Sequence, residues 1–248
     1  KVLKTTSLDK KTLFQSVKDL YNLLIVYLEE NTSDACRYFT NILIPFLQKV
    51  LMVETNEERS QKYYEMYKNS HGFAARRSLE HFILYYEWDW EQKDKLLENR
   101  YEILMPFVYY LNKMTFDENL QYVLASYMPS AGKSRCTCYY EAWRLGVQSG
   151  GCFLRISYSD LLAKGFSRSV IDIIKSEEYA FVFPHLNYKK DKKKLFAKET
   201  DEEWRLSTAK LLQSYMARSR DGQINGTRAS LSIDIDDMLK DDKEALNM

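Results

Sequence analysis

The sequence predicts an α/β chain, with an all-helical N-terminal region over residues 1–115 and a mainly parallel sheet flanked by helices over residues 116–248. Three observations lead there. Residues 1 to about 115 are nearly free of Gly and repeat apolar side chains at three- and four-residue steps. From Leu120 the texture changes to short apolar runs alternating with helical segments, which implies crossover connections and parallel pairing. Near that change stands Tyr127-Met128-Pro129-Ser130-Ala131-Gly132-Lys133-Ser134, a Gly-Lys-Ser loop with an apolar run before it and a helical segment after it.

The N-terminal elements follow in order. Leu13, Val17, Leu20, Leu24 and Leu28 form one apolar helical face, and Asn31-Thr32-Ser33 ahead of Asp34 reads as a helix entry. Tyr38, Ile42, Phe46 and Val50 repeat the pattern, with Pro45 expected to kink it. A polar stretch over 54–60 precedes another helical segment, for which His71-Gly72 reads as the stop. Phe82, Tyr85, Tyr86, Trp88 and Trp90 form an aromatic stripe, read as core in preference to a base-stacking platform. Arg76-Arg77 reads as a solvated face.

In the second region the expected strands are 122–125, 152–158, 203–206, 214–218 and 231–235. A helix begins at Asp160, with Leu161, Leu162, Phe166, Val170, Ile173 and Ile174 at helical spacing. The apolar run 181–183 then closes a strand–helix–strand unit before Pro184. The charge run 189–194 is either a solvated loop or one that contacts phosphate.

The chemistry concentrates at the Gly-Lys-Ser loop. A strand, a tight loop and a helix N-terminus aim successive backbone N–H groups at phosphates, so Pro129, Ser130, Ala131, Gly132, Lys133, Ser134 and Arg135 are the candidate nucleotide-binding residues. Lys133 would reach the β and γ phosphates and the Ser134 hydroxyl would ligate Mg²⁺. Tyr127 stands where the usual pattern has its first Gly. The run 231–235 leads into Asp236-Asp237, which places Asp236 at the metal and Asp237 as the general base. The competing reading is a pair of solvated acids opening a helix at Met238. Asp234 alternates with Ile233 and Ile235 and so faces the other side of its strand. These elements together predict a P-loop NTPase core, truncated after the acidic strand, with ATP and Mg²⁺ as cofactors.

Composition excludes some classes. With 36 Lys+Arg against 35 Asp+Glu, bulk charge gives no argument for nucleic acid, so a DNA contact must come from local patches. Four cysteines are no disulfide framework for 248 residues, and three scattered histidines make zinc a minor reading. No signal peptide and no bilayer-length apolar stretch is present, so a reduced, intracellular protein is expected. A start at Lys1 and an end just past the acidic pair suggest a fragment of something longer.

The order of motifs resembles the ATPase domain of the large terminase subunit of tailed bacteriophages, over about residues 120–245. The loop Met128-Pro129-Ser130-Ala131-Gly132-Lys133-Ser134 resembles that family's Gly-poor version. Ser157-Tyr158-Ser159-Asp160-Leu161-Leu162-Ala163, with Phe166-Ser167-Arg168-Ser169-Val170, is similar to its second strand and following helix. Asp172-Ile173-Ile174, Ser176-Glu177-Glu178-Tyr179 and Phe183-Pro184 continue the likeness. Gly222-Gln223-Ile224-Asn225-Gly226-Thr227-Arg228-Ala229 then leads into Ile235-Asp236-Asp237.

The resemblance implies a motor in which a homo-oligomeric ring hydrolyses ATP to drive double-stranded DNA into a capsid. Its implied partners are the DNA, the portal protein and the small terminase subunit, with no membrane. Its implied place is the cytoplasm of an infected bacterial host, transiently at the procapsid portal. Arg228 matches a family arginine and is the candidate to act in a neighbouring subunit's site; the alternative is a structural arginine paired with a carboxylate. Many relatives carry a basic residue where this chain has Ser130-Ala131, and Arg135 follows Ser134 instead. The family's coupling motif and nuclease domain are absent, so no DNA cleavage is expected. Two other readings stay open: a helicase-like or other motor ATPase, and a non-catalytic nucleotide-binding scaffold module.

Overall fold

The computed structural model describes residues 9–187, 195–210, 213–222 and 228–236. The chain divides into two compact units, Lys1–Asn99 and Arg100–Met248.

The first unit is helical: α1 (Lys10–Glu30), α2 (Thr32–Tyr38), α3 (Ile44–Leu51), α4 (Glu57–Ala74), α5 (Leu79–Tyr86) and α6 (Leu96–Asn99). The Asp9 carboxylate accepts from the Lys11 and Thr12 amides and so starts α1. Asn31 serves two helices. Its N–H closes α1 on the Tyr27 carbonyl, and its side chain accepts from the Asp34 amide to open α2. Ahead of Pro45 the backbone Phe39–Leu43 widens into a π-helical turn, which takes up the proline ring and its missing N–H while the helical path continues into α3.

Val17, Leu28, Phe39, Leu43 and Leu47 form the centre of this unit's core. The predicted stop at His71-Gly72 is not observed. Both residues are buried inside α4, which runs on to Ala74, so packing outweighs the local cost of an interior Gly, about 1 kcal/mol. The aromatic stripe is core in part: Phe82 and Tyr85 are buried, Tyr86 and Trp88 are half-buried and Trp90 is exposed, and the Trp88 indole N–H donates to the Tyr64 hydroxyl at 2.8 Å. His71 and His81 are buried beside it with their Nδ1 atoms 3.0 Å apart. Burial pushes His71 down to about 3, with a contribution from His81, and pushes His81 down to about 4.

The second unit contains α7 (Tyr101–Phe116), α8 (Lys133–Val147), β1 (Phe153–Ser157), α9 (Asp160–Lys175), α10 (Glu177–Val182), β2 (Phe196–Glu199), β3 (Glu203–Leu206), β4 (Tyr215–Ser219) and β5 (Ser232–Asp236). The strands form one five-stranded sheet in the order β2-β3-β4-β1-β5. Helices α8 and α9 touch one another, and both reach the β1 face that carries Arg155, through Glu141 and Phe166 respectively.

The expected P-loop NTPase core, a mainly parallel sheet flanked by helices, is overturned by this arrangement. Helix dominates, and the small sheet is mixed: β1 pairs parallel with β4 and β5, while β2–β3 and β3–β4 are antiparallel. Two local outcomes explain the difference. Residues 122–125, expected to be the strand ahead of the loop, join no ladder; Tyr122 is 86% and Leu124 99% exposed. A cavity of about 330 Å³ is lined by this run and by β5, and a short run without a ladder partner leaves its amides to water. Residues 181–182 are helical instead of extended. The Ser176 hydroxyl accepts from the Tyr179 amide, and Glu177 and Glu178 sit in the first turn of α10, so capping and the helix dipole override the β-preference of Phe-Val-Phe.

Candidate functional site

Successive side chains of a strand point to opposite faces, and the register assigns β1 and β5 their faces. Arg155 lies opposite Asp234 and Ser157 opposite Asp236, so Arg155, Ser157, Asp234 and Asp236 share one face. Ile233 and Ile235 take the other and are exposed. Asp234 does face away from its isoleucines, but toward the interior: the carboxylates, not the isoleucines, turn inward. On α8, Lys133, Thr137 and Glu141 recur at four-residue steps and line one helix face.

These two faces meet. The Lys133 ammonium lies 2.9 Å from Asp236 Oδ1. Arg155 donates from one nitrogen to Asp236 Oδ2 at 2.8 Å and from another to Glu141 Oε1 at 3.0 Å. The Tyr215 hydroxyl donates to the second Glu141 oxygen at 3.0 Å. Arg155 and Glu141 are completely buried. Burial would raise the Asp236 carboxyl, but hydrogen bonding from Lys133 and Ser134 and the charges of Arg155 and Lys133 hold it below the usual carboxylate range. Burial pushes Glu141 up to about 8, with Arg155 opposing and Asp234 adding to the rise. Asp234 is raised as well, chiefly by burial.

The loop ahead of α8 curls tightly. Ser130 has φ 63°, the one non-Gly residue with positive φ among the described residues, and Gly132 has φ 96° at the helix cap. The N-cap residue of α8 is Gly132, which has no side chain to offer the amides of the first turn. Residues from Tyr127 to Arg135 line a cavity of about 440 Å³. The structure thus brings Lys133, Ser134 and Asp236 together, with Pro129, Ser130, Ala131 and Gly132 in the loop. Arg135 lies along α8, its Nε donating to the Tyr139 hydroxyl at 3.1 Å. Arg228 is exposed, ahead of β5. Asp237, the expected base, lies outside the described residues.

Among the described residues no three His, Cys, Asp or Glu side chains group to cage a metal. One carboxylate beside one hydroxyl instead fits a hard cation such as Mg²⁺ that takes its other oxygens from water and phosphate. Sequence reasoning missed Arg155, Glu141 and Tyr215. The signal was an arginine at the centre of an otherwise apolar strand, where a charge needs a buried partner.

No family model, curated protein or solved structure matches the chain. No helix among the described residues is long and apolar enough to cross a membrane.

The buried groups set opposite pH responses. Glu141 binds its proton more tightly folded than unfolded, so its contribution to stability falls as pH rises from about 4.5 to about 8. His71 and His81 bind theirs more weakly folded, so their contribution is complete above about 6.5 and is lost as pH falls toward 4 and 3. Urea unfolding between pH 4 and pH 8 should show both. Glu141→Gln, which imitates the protonated carboxyl, should reduce the decline on the alkaline side, to which the raised Asp234 also contributes, and His81→Phe should reduce the decline on the acid side. A wild-type profile unchanged by either substitution would contradict both assignments.

Proposed function

We propose that the second unit binds ATP with Mg²⁺ and hydrolyses its terminal phosphate. The observation that carries this reading is the meeting of Lys133 and Asp236 at 2.9 Å beside Ser134, where a tight loop runs through Gly132 into the N-terminus of α8. Backbone amides of the loop and of the first turn of α8 bind phosphate oxygens, and the Lys133 ammonium leaves Asp236 for the β and γ phosphates. Ser134 and Asp236 would hold the Mg²⁺, which would supply neutralisation of the charge on the phosphates. Asp237 orients and deprotonates the attacking water. Arg228, exposed on its own subunit, reaches a neighbour's site in a ring.

The resemblance of the motif order supplies the wider setting: a viral DNA-packaging motor acting on double-stranded DNA, with a portal protein and a small terminase subunit as partners. One observation favours a second reading, a nucleotide-binding module without hydrolysis. Residues 122–125 lie outside the sheet, with Tyr122 and Leu124 exposed, so the loop lacks a strand to brace its entry.

Calorimetric titration with a non-hydrolysable ATP analogue, together with a phosphate-release assay on ATP itself, separates these outcomes. Saturable, Mg²⁺-dependent binding with phosphate release that Asp237→Ala abolishes, binding being kept, supports the hydrolase. Binding with no turnover in wild type supports the module, and no binding with or without Mg²⁺ overturns both.

A further inference from the structure

The carboxylate of Asp236 is shared between two cations of different character. Lys133, 31% exposed in its side chain, meets Oδ1 at 2.9 Å from the rim of the site. Arg155 meets Oδ2 at 2.8 Å from inside and has no freedom to leave. Its guanidinium lies 4.0 Å from the centre of the Phe166 ring. Its other arm is bound to Glu141, and Glu141 is fixed in turn by the Tyr215 hydroxyl. One counter-charge therefore stands at the solvent-facing rim and the other is built in.

We propose that Arg155 is a positioning residue that commits one oxygen of Asp236 and makes the site accept a divalent cation only together with a nucleotide. The inference rests on the reading of Asp236 as the metal-facing carboxylate. A bare Mg²⁺ approaching Asp236 meets two cations already neutralising one carboxylate, and at these distances the like-charge repulsion is large in a half-buried site. A triphosphate reverses the balance. It brings its own negative charge and draws Lys133 away, which frees Oδ1 alone. Because Oδ2 stays on Arg155, the freed oxygen has a fixed direction and Asp236 contributes a single, oriented acceptor to the cation or its water. Glu141 and Tyr215 act at one remove by holding Arg155 square to Asp236.

The probe is Mn²⁺, with bound ion read by its electron paramagnetic resonance signal, for wild type and for the Arg155→Met/Glu141→Gln double variant. The double variant removes the arginine and the buried charge that would be left without it. Wild type should take up Mn²⁺ only when the ATP analogue is present. The double variant should take up Mn²⁺ without analogue, at least tenfold more tightly than wild type, and a further Asp236→Asn change should remove that uptake. Equal uptake by wild type and double variant in the absence of analogue, whether strong or nil, overturns the proposal.

Arg155→Lys provides a second route if the double variant fails to fold. It retains the charge but cannot span two carboxylates, so Mn²⁺ uptake should still require the analogue while kcat falls at unchanged KM. Analogue-independent uptake by Arg155→Lys also overturns the proposal. If wild type binds no analogue under any condition, the hydrolase reading fails, yet the comparison of Mn²⁺ uptake without analogue still decides the role of Arg155.

Discussion

Exchange of Lys133 for alanine should weaken binding of a Mg²⁺–ATP analogue by about thirtyfold or more while leaving the second unit folded. Truncating one partner of a hydrogen-bonded charge pair costs about 2–5 kcal/mol, and 1.4 kcal/mol is a factor of ten. Lys133 is partly exposed, so solvent screening places the loss toward the lower end of that range. The fold should tolerate the change because Asp236 is not orphaned: Arg155 still donates to it at 2.8 Å. Unfolding free energy should therefore fall by no more than about 1 kcal/mol, the scale of a partly exposed ion pair. Titration calorimetry with the analogue and urea unfolding of the same variant check the two halves. Binding within threefold of wild type would remove Lys133 from the phosphate site. Large destabilisation would mean that its pairing with Asp236 is structural first.

How far the sequence revealed this site depends on which residues carry local signals. Lys133, Ser134 and Asp236 could be paired in advance because a Gly-Lys-Ser loop and an acid at a strand end each have a recognisable local form, and the fold brings them within hydrogen-bonding distance. Strands at 153–157 and 232–236 were legible from apolar or alternating runs, and the helix at Asp160 from its spacing; its cap, the Ser159 hydroxyl accepting from the Leu162 amide, emerges only from the structure. The failures share a cause. Whether 122–125 becomes a strand depends on finding a ladder partner, and whether Phe181 and Val182 extend or coil depends on a cap several residues earlier. Both are decided outside the run itself. The Arg155–Glu141–Tyr215 set was invisible for a related reason: it joins β1, α8 and β4, and no local pattern announces a contact across three elements.

Truncation of Trp204 to alanine should destabilise the second unit by about 3–5 kcal/mol, the usual cost of deleting a large aromatic side chain from a filled core. Trp204 is completely buried on β3 and lies flat on Tyr215 of β4, with ring centres 5.0 Å apart and planes 2° from parallel. Phe196 of β2 meets it edge-on at 5.5 Å, and its indole N–H donates to the buried Ser167 hydroxyl of α9 at 3.0 Å. The side chain thus ties the antiparallel strands to the helix that covers them. Tyr215 carries the consequence to the site, since the ring stacked on Trp204 bears the hydroxyl that holds Glu141, and Glu141 holds Arg155. Trp204→Phe separates packing from hydrogen bonding: it retains most of the stack and leaves Ser167 unpaired, at about 1–3 kcal/mol. Urea unfolding should rank the variants wild type, Trp204→Phe, Trp204→Ala. At temperatures where the alanine variant remains folded, its analogue affinity should also fall, because a loosened Tyr215 no longer fixes the support behind Asp236. Lost stability with unchanged affinity would confine Trp204 to the sheet and cut the proposed line from the hairpin to the site.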